Sequence, residues 1–256
     1  DYIYFDCFQQ NITDPEGLSR RLSRYHFGIG GDGIILIEPS ECADARMRIF
    51  NQDGSEGKMC GNGIRCVGKY LYDSGLARKE EIAVETRSGI RILQMQVKDG
   101  QVTGVTVNMG QAELAPERIP VTLPGSEIIG MPVSIDGKVW EITCVSMGNP
   151  HCVVFCEEPD SLELTKVGPK FEKAPIFPEG VNTEFIRVID RKTLQMRVWE
   201  RGSGETLACG TGACASAVAA ILRGYCDREE EITVRLKGGE LKIRWALEGV
   251  WMTGPA

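Results

Sequence analysis

The chain repeats its own plan at a spacing of 149 residues, and that repeat limits what 256 residues can fold into. Met59-Cys60-Gly61-Asn62-Gly63 falls on Ala208-Cys209-Gly210-Thr211-Gly212. Upstream at the same spacing, Met47-Arg48-Ile49-Phe50 falls on Met196-Arg197-Val198-Trp199, and Glu56 falls on Glu205. Downstream, Gly75 falls on Gly224. After one inserted residue, Glu81-Ile82-Ala83-Val84 meets Glu231-Ile232-Thr233-Val234, and Gly89 meets Gly239. Register kept over most of each half points to a duplicated domain rather than to chance likeness.

Each half reads the same way locally. A strand (46–50; 195–199) enters a polar, glycine-rich loop that ends at a cysteine, and a helix follows. β-branched runs then predict strands over 82–86 and 102–107 in one half and over 232–236 and 241–245 in the other, divided by glycine-containing turns. The helix over 213–222 is apolar on nearly every face, so it belongs inside a curved sheet rather than on its surface, while its counterpart over 64–72 is amphipathic. Gly75 and Gly224 stand where helix C-caps are expected. The expected class is α+β: two similar domains, each a curved, mainly antiparallel sheet wrapped around a central helix. The join falls within Gly110–Pro120, which gives domains 1–112 and 113–256 and places an active site in the cleft between them.

Composition narrows the function classes. A net charge of −7 argues against a general nucleic-acid surface. No apolar run approaches the length of a bilayer-spanning helix, so no membrane partner is expected. Ten cysteines occur without a CxxC pair or a signal peptide, which disfavours a metal site and a disulfide framework and suits a reducing cytoplasm. Eight of the ten read as small packing residues. The run Gly28-Ile29-Gly30-Gly31-Asp32-Gly33 enters an apolar strand instead of leaving a strand for a helix, so a dinucleotide loop is disfavoured. His26 reads as structural.

Cys60 and Cys209 stand apart because both open a helix within Cys-Gly-x-Gly. A helix N-terminus favours thiolate, and flanking glycines leave backbone N–H groups free to hold a carboxylate. Two such cysteines, one per domain, suit a reaction in which one thiolate removes a proton from carbon and the other thiol returns one to the opposite face. N–H donors would stabilise the enolate-like charge that builds on the carboxylate, and the thiols serve as acid and base. His151, in an Asn-Pro-His turn, either helps set the protonation of a cysteine or makes an ordinary structural hydrogen bond; the residues leave both open.

These motifs carry a resemblance. The stretch from Asn51-Gln52-Asp53-Gly54-Ser55-Glu56 to Cys60-Gly61-Asn62-Gly63-Ile64-Arg65-Cys66 resembles the first active-site motif of diaminopimelate epimerases. The stretch from Glu200-Arg201-Gly202 to Cys209-Gly210-Thr211-Gly212-Ala213 resembles the second, and Ser146–Cys152 and Gly28–Gly33 also fit. The resemblance implies a cofactor-independent isomerase that interconverts LL- and meso-diaminopimelate in lysine and peptidoglycan precursor biosynthesis, as a cytoplasmic homodimer. It makes Cys60 and Cys209 the acid/base pair, with catalytic support from His151 and Glu200. Gly61, Asn62, Gly210 and Thr211 would hold the reacting carboxylate. Asn51, Asn149, Asn182 and Arg201 would recognise the distal carboxylate, and Glu200 the distal amino group. Against the family pattern, the chain opens at Asp1-Tyr2, past an Asn that contacts substrate, and closes at Ala256 before one further strand; Gly33 stands where some members carry Gln. Two rival readings are a racemase of the proline or hydroxyproline type, which Arg201, Glu200 and the asparagines disfavour, and a non-catalytic thiol sensor that binds an amino acid.

Overall fold

The computed structural model describes all residues, Asp1–Ala256. They form two compact units, Asp1–Asn108 with Gly254–Ala256, and Met109–Thr253. The architecture is α+β.

In the first unit, β1 (Tyr2–Asp6) is followed by α1 (Pro15–Leu22), β2 (Gly33–Glu38), β3 (Ala45–Asn51) and the short β4 (Glu56–Gly57). The central helix α2 (Gly61–Asp73) then leads into β5 (Glu81–Thr86), β6 (Gly89–Lys98) and β7 (Gln101–Asn108). The strands pair in the order β1-β2-β3-β5-β6-β7, with β4 on β3. Pairings β1–β2 and β3–β5 are parallel, the latter bridged by α2, and the rest are antiparallel. The amphipathic reading of α2 holds: Gly61, Gly63, Ile64, Arg65, Val67, Gly68 and Leu71 are buried, and Asn62, Cys66, Lys69 and Tyr70 face outward to varying degrees. Gly68 lets the helix approach β6 closely, since a Cβ there would lie 2.7 Å from the Leu93 side chain.

The second unit repeats this plan and extends it. After the hairpin β8 (Met131–Ile135) and β9 (Lys138–Ser146) come β10 (Pro150–Phe155), α3 (Leu164–Glu172), β11 (Asn182–Asp190), β12 (Thr193–Glu200) and β13 (Gly204–Glu205). Helix α4 (Gly210–Leu222) and strands β14 (Ile232–Leu236), β15 (Gly239–Ala246) and β16 (Gly249–Pro255) complete it. The order is β16-β15-β14-β12-β11-β10-β9-β8, with β13 on β12 and with β10–β11 and β12–β14 parallel. The repeat spacing carries through the pairing, because Tyr2 lies opposite Gly33 in one unit and His151 opposite Asn182 in the other. Its β8–β9 turn is Asp136-Gly137, both at positive φ, which suits the twist of a two-residue hairpin.

Helix α4 is buried from Gly212 through Ala220, as an all-round apolar helix requires. It ends at Gly224, which takes φ +74°; Gly224 N–H donates to Ile221 O (3.0 Å) and Tyr225 N–H to Ala220 O (2.8 Å), satisfying the last carbonyls. Gly75 closes α2 at φ +82°. A second core lies under α3, where Trp140, Phe171 and Phe185 meet edge to face with ring centroids 5.3–6.0 Å apart.

Candidate active site

Both cysteines singled out by the repeat are N-cap residues. Cys60 caps α2 at φ −131°, ψ 119°, and Cys209 caps α4 at φ −131°, ψ 110°. The extended backbone turns each side chain toward the first helical turn, and the Cys60 sulfur accepts from Gly63 N–H at 3.4 Å. The glycines at the third helical position leave room for the side chains packed behind them. A Cβ on Gly63 would lie 2.6 Å from Ile35 Cδ1, and one on Gly212 would lie 2.7 Å from Glu184 Oε1 and 3.2 Å from the Cys209 sulfur. Each loop is braced behind by an equivalent ion pair: Arg48 Nε donates to Glu56 (2.8 Å), and Arg197 Nε to Glu205 (2.9 Å). Both carboxyls are held below their usual range, first by that hydrogen bond.

In the first unit, Cys60 is half-buried and Gly61 is buried. Asn62 is half-buried, and its Oδ1 accepts from Arg65 Nη1 at 3.0 Å. The Arg65 guanidinium, buried within α2, also donates to the Gly61 and Pro255 carbonyls. Asn51, at the end of β3, donates through Nδ2 to Ser55 Oγ at 3.0 Å. Tyr4 donates to Gly63 O at 3.4 Å, and its hydroxyl is held protonated by burial and then by the Cys66 and Cys60 thiols.

The second unit gathers most of the remaining candidates into one chain of contacts. Glu184 Oε1 meets His151 Nδ1 at 2.7 Å, and both side chains are fully buried. His151 Nε2 meets Asn149 Oδ1 at 3.0 Å, Asn149 Nδ2 donates to Thr211 Oγ1 at 3.3 Å, and Thr211 Oγ1 lies 3.6 Å from the Cys209 sulfur. His151 is therefore wired toward Cys209 rather than sitting in an isolated turn. Glu200, half-buried, accepts from the Thr206 hydroxyl. Asn182 is buried and spends its amide on the backbone: Nδ2 donates to Pro150 O (2.8 Å) and Oδ1 accepts from Arg201 N–H (2.9 Å), so it fixes Arg201 in place. Arg201 is exposed and donates to Glu179 O at 2.8 Å. Gly210 is buried and Thr211 half-buried.

Two expectations change. The helix N-terminus alone would lower the Cys209 pKa, yet burial pushes it well up, helped by Glu200 and Glu184 and opposed by the Thr211 hydroxyl and Gly212 N–H. Of the eight cysteines read as packing residues, Cys42 and Cys66 are exposed and Cys156 is only half-buried; no disulfide joins any of the ten. Glu184 escaped sequence reasoning. Its signal was a carboxylate inside the otherwise uncharged run Asn182–Ile186, at the position matching Ile35 in the first half.

The sequence profile described as Diaminopimelate epimerase matches residues 1–115 and 143–256. The chain belongs to the diaminopimelate epimerase family. A protein named diaminopimelate epimerase from Acetivibrio thermocellus is 53% identical over 258 residues, covering 100% of this chain and 91% of the relative. One of the same name from Desulfovibrio desulfuricans is 53% identical over 264 residues with the same coverage, and one from Methanococcus maripaludis is 48% identical. Among solved structures, a probable proline racemase from Agrobacterium radiobacter K84 aligns with a TM-score of 0.69 at 18% identity, over 95% of this chain and 79% of the other. A predicted epimerase from Pseudomonas aeruginosa aligns at 0.65 and 17%, over 99% and 88%. Those likenesses concern the fold alone.

Proposed function

We propose that this chain is a diaminopimelate epimerase that interconverts the LL and meso isomers. The observation that carries the reading is the pair of N-cap cysteines at repeat-equivalent helix starts, in a chain about half identical over its whole length to proteins of that name. One thiolate takes the α-proton and the other thiol returns a proton to the opposite face. The backbone N–H groups of Gly61, Asn62, Gly210 and Thr211 meet the carboxylate as negative charge develops on it. Thiols supply both proton transfers, so the reaction calls for no pyridoxal phosphate. Arg201, oriented by Asn182, serves the distal carboxylate with Asn51 and Asn149, and Glu200 serves the distal ammonium, which sets this substrate apart from proline. His151 supports Cys209 through Asn149 and Thr211.

We further propose a homodimer working in a reducing cytoplasm, where both thiols stay competent; no helix is long and apolar enough to cross a membrane. The test is chiral chromatography of LL-diaminopimelate incubated with reduced protein and no added cofactor. Appearance of the meso isomer is expected. Racemisation of proline, with diaminopimelate untouched, would move the assignment to the rival racemase class. Light scattering should return twice the chain mass.

A further inference from the structure

The two halves match at the backbone and differ in charge. Under each N-cap cysteine the same pocket is filled by repeat-equivalent side chains, identified by what a Cβ on the third helical residue would strike: Ile35 beneath Gly63, Glu184 beneath Gly212. Asn51 in the first half likewise corresponds to Glu200 in the second, and Arg65 in α2 to Cys214 in α4. The groups set against the Cys60 end of α2 include the neutral Tyr4 hydroxyl of β1 and apolar Ile35 of β2. Those facing Cys209 are Glu184 of β11 with His151 of β10 behind it, Glu200 of β12, and the Thr211 hydroxyl of α4.

We infer that the resting protein carries its thiolate on Cys60 and its thiol on Cys209, and that Glu184, together with Glu200, is a positioning residue for this assignment. Glu184 Oε1 would lie 2.7 Å from a Cβ on Gly212 and the Cys209 sulfur 3.2 Å from it, so carboxyl and thiol share one buried corner. Two like charges in such a corner do not ionise together; the weaker acid keeps the proton. An ordinary thiol is weaker than an ordinary carboxyl by about four pH units. Burial raises both groups here, while the His151 contact favours the Glu184 carboxylate. The proton therefore rests on sulfur at Cys209. The first half has an apolar Ile35 in place of the competing acid.

This assignment gives the duplicated frame a direction, a consequence that rests on the epimerase reading. From the resting form the α-proton passes to the Cys60 sulfur and the Cys209 S–H proton passes to carbon. That leaves a Cys60 thiol and a Cys209 thiolate, and one proton must then move from Cys60 to Cys209 through solvent. The isomer whose α-hydrogen faces Cys60 is the one the resting protein can deprotonate.

The experiment is alkylation of the reduced chain by iodoacetamide across a pH series, with Cys60 and Cys209 followed separately by peptide mass spectrometry. The midpoint of each profile is compared, because burial slows Cys209 at every pH. Cys60 should titrate at least about one pH unit below Cys209. In Glu184→Gln, and in Glu184→Ile, which copies the first half, the Cys209 midpoint should fall by about one unit, giving about tenfold faster alkylation at a fixed pH below it. The Cys60 midpoint should stay in place. Circular dichroism checks the fold of both variants. A wild-type Cys209 midpoint at or below that of Cys60 overturns the assignment, and an unmoved Cys209 midpoint in a folded Glu184 variant overturns the role of Glu184. Epimerisation is measured on the same samples: midpoints in the expected order without epimerisation would remove the enzyme reading and leave the assignment standing.

Discussion

Replacing Gly212 by alanine probes the link between the second helix start and the buried Glu184–His151 pair. The added Cβ would lie 2.7 Å from Glu184 Oε1, roughly 0.7 Å inside ordinary contact, and 3.2 Å from the Cys209 sulfur. The carboxylate must retreat, and its 2.7 Å bond to His151 lengthens toward breaking. Losing a hydrogen bond to a charged group costs about 1.5–3 kcal/mol. Removing a helical glycine returns about 0.5–1 kcal/mol. The net is a loss of about 0.5–2.5 kcal/mol, which for a chain of this size lowers Tm by about 1–10 °C. Gly63→Ala is the matched control: its Cβ meets the ends of two flexible side chains, Ile35 at 2.6 Å and Met47 at 3.3 Å, which can move aside, so it should stay within about 1 kcal/mol of wild type. Differential scanning calorimetry with urea midpoints measures both. A Gly212→Ala protein as stable as or more stable than wild type would refute the reasoning, since helix propensity would then act unopposed.

Other perturbations follow from the same geometry. Cys60→Ser and Cys209→Ser should each lower epimerisation by at least about 100-fold while circular dichroism stays unchanged, and a wild-type rate in either removes that thiol from the chemistry. Glu205 has its folded pKa depressed by Arg197, so its contribution to stability is present above the unfolded carboxylate range near pH 4–5 and is lost as pH falls through the folded value. Glu205→Gln should therefore cost about 1–3 kcal/mol at neutral pH and flatten acid unfolding below about pH 4, both read from urea midpoints against pH. Gly224→Ala places a side chain at φ +74° in open space and should cost about 1 kcal/mol by conformation alone, with activity retained.

The frame was legible because duplication writes it twice. Matched cysteines, glycines and β-branched runs, kept at one spacing, declared two similar units, and the uninterrupted apolar face of 213–222 required a helix buried all round. Charge inside the units was harder to read. Glu184 sits in the otherwise uncharged run Asn182–Ile186, and nothing local says that its oxygen fills the space left by a glycine 28 residues later; only the three-dimensional packing of β11 against α4 brings them together. Asn182 shows the same limit. Its residue type suits ligand recognition, but in the fold both ends of its amide hold backbone groups, which places it behind Arg201. The exposed Cys42 and Cys66 could not be told from buried thiols because a cysteine carries no periodicity of its own.

Isotope incorporation in heavy water tests the central claim most directly. Reduced protein is given LL-diaminopimelate in D2O, without added cofactor, and the two isomers are separated and weighed at early conversion. Two thiols working on opposite faces predict that the meso product carries one deuterium at the inverted carbon while the remaining LL substrate stays protiated. Substrate that washes in deuterium as fast as product forms, or an absence of both exchange and inversion, would contradict the account.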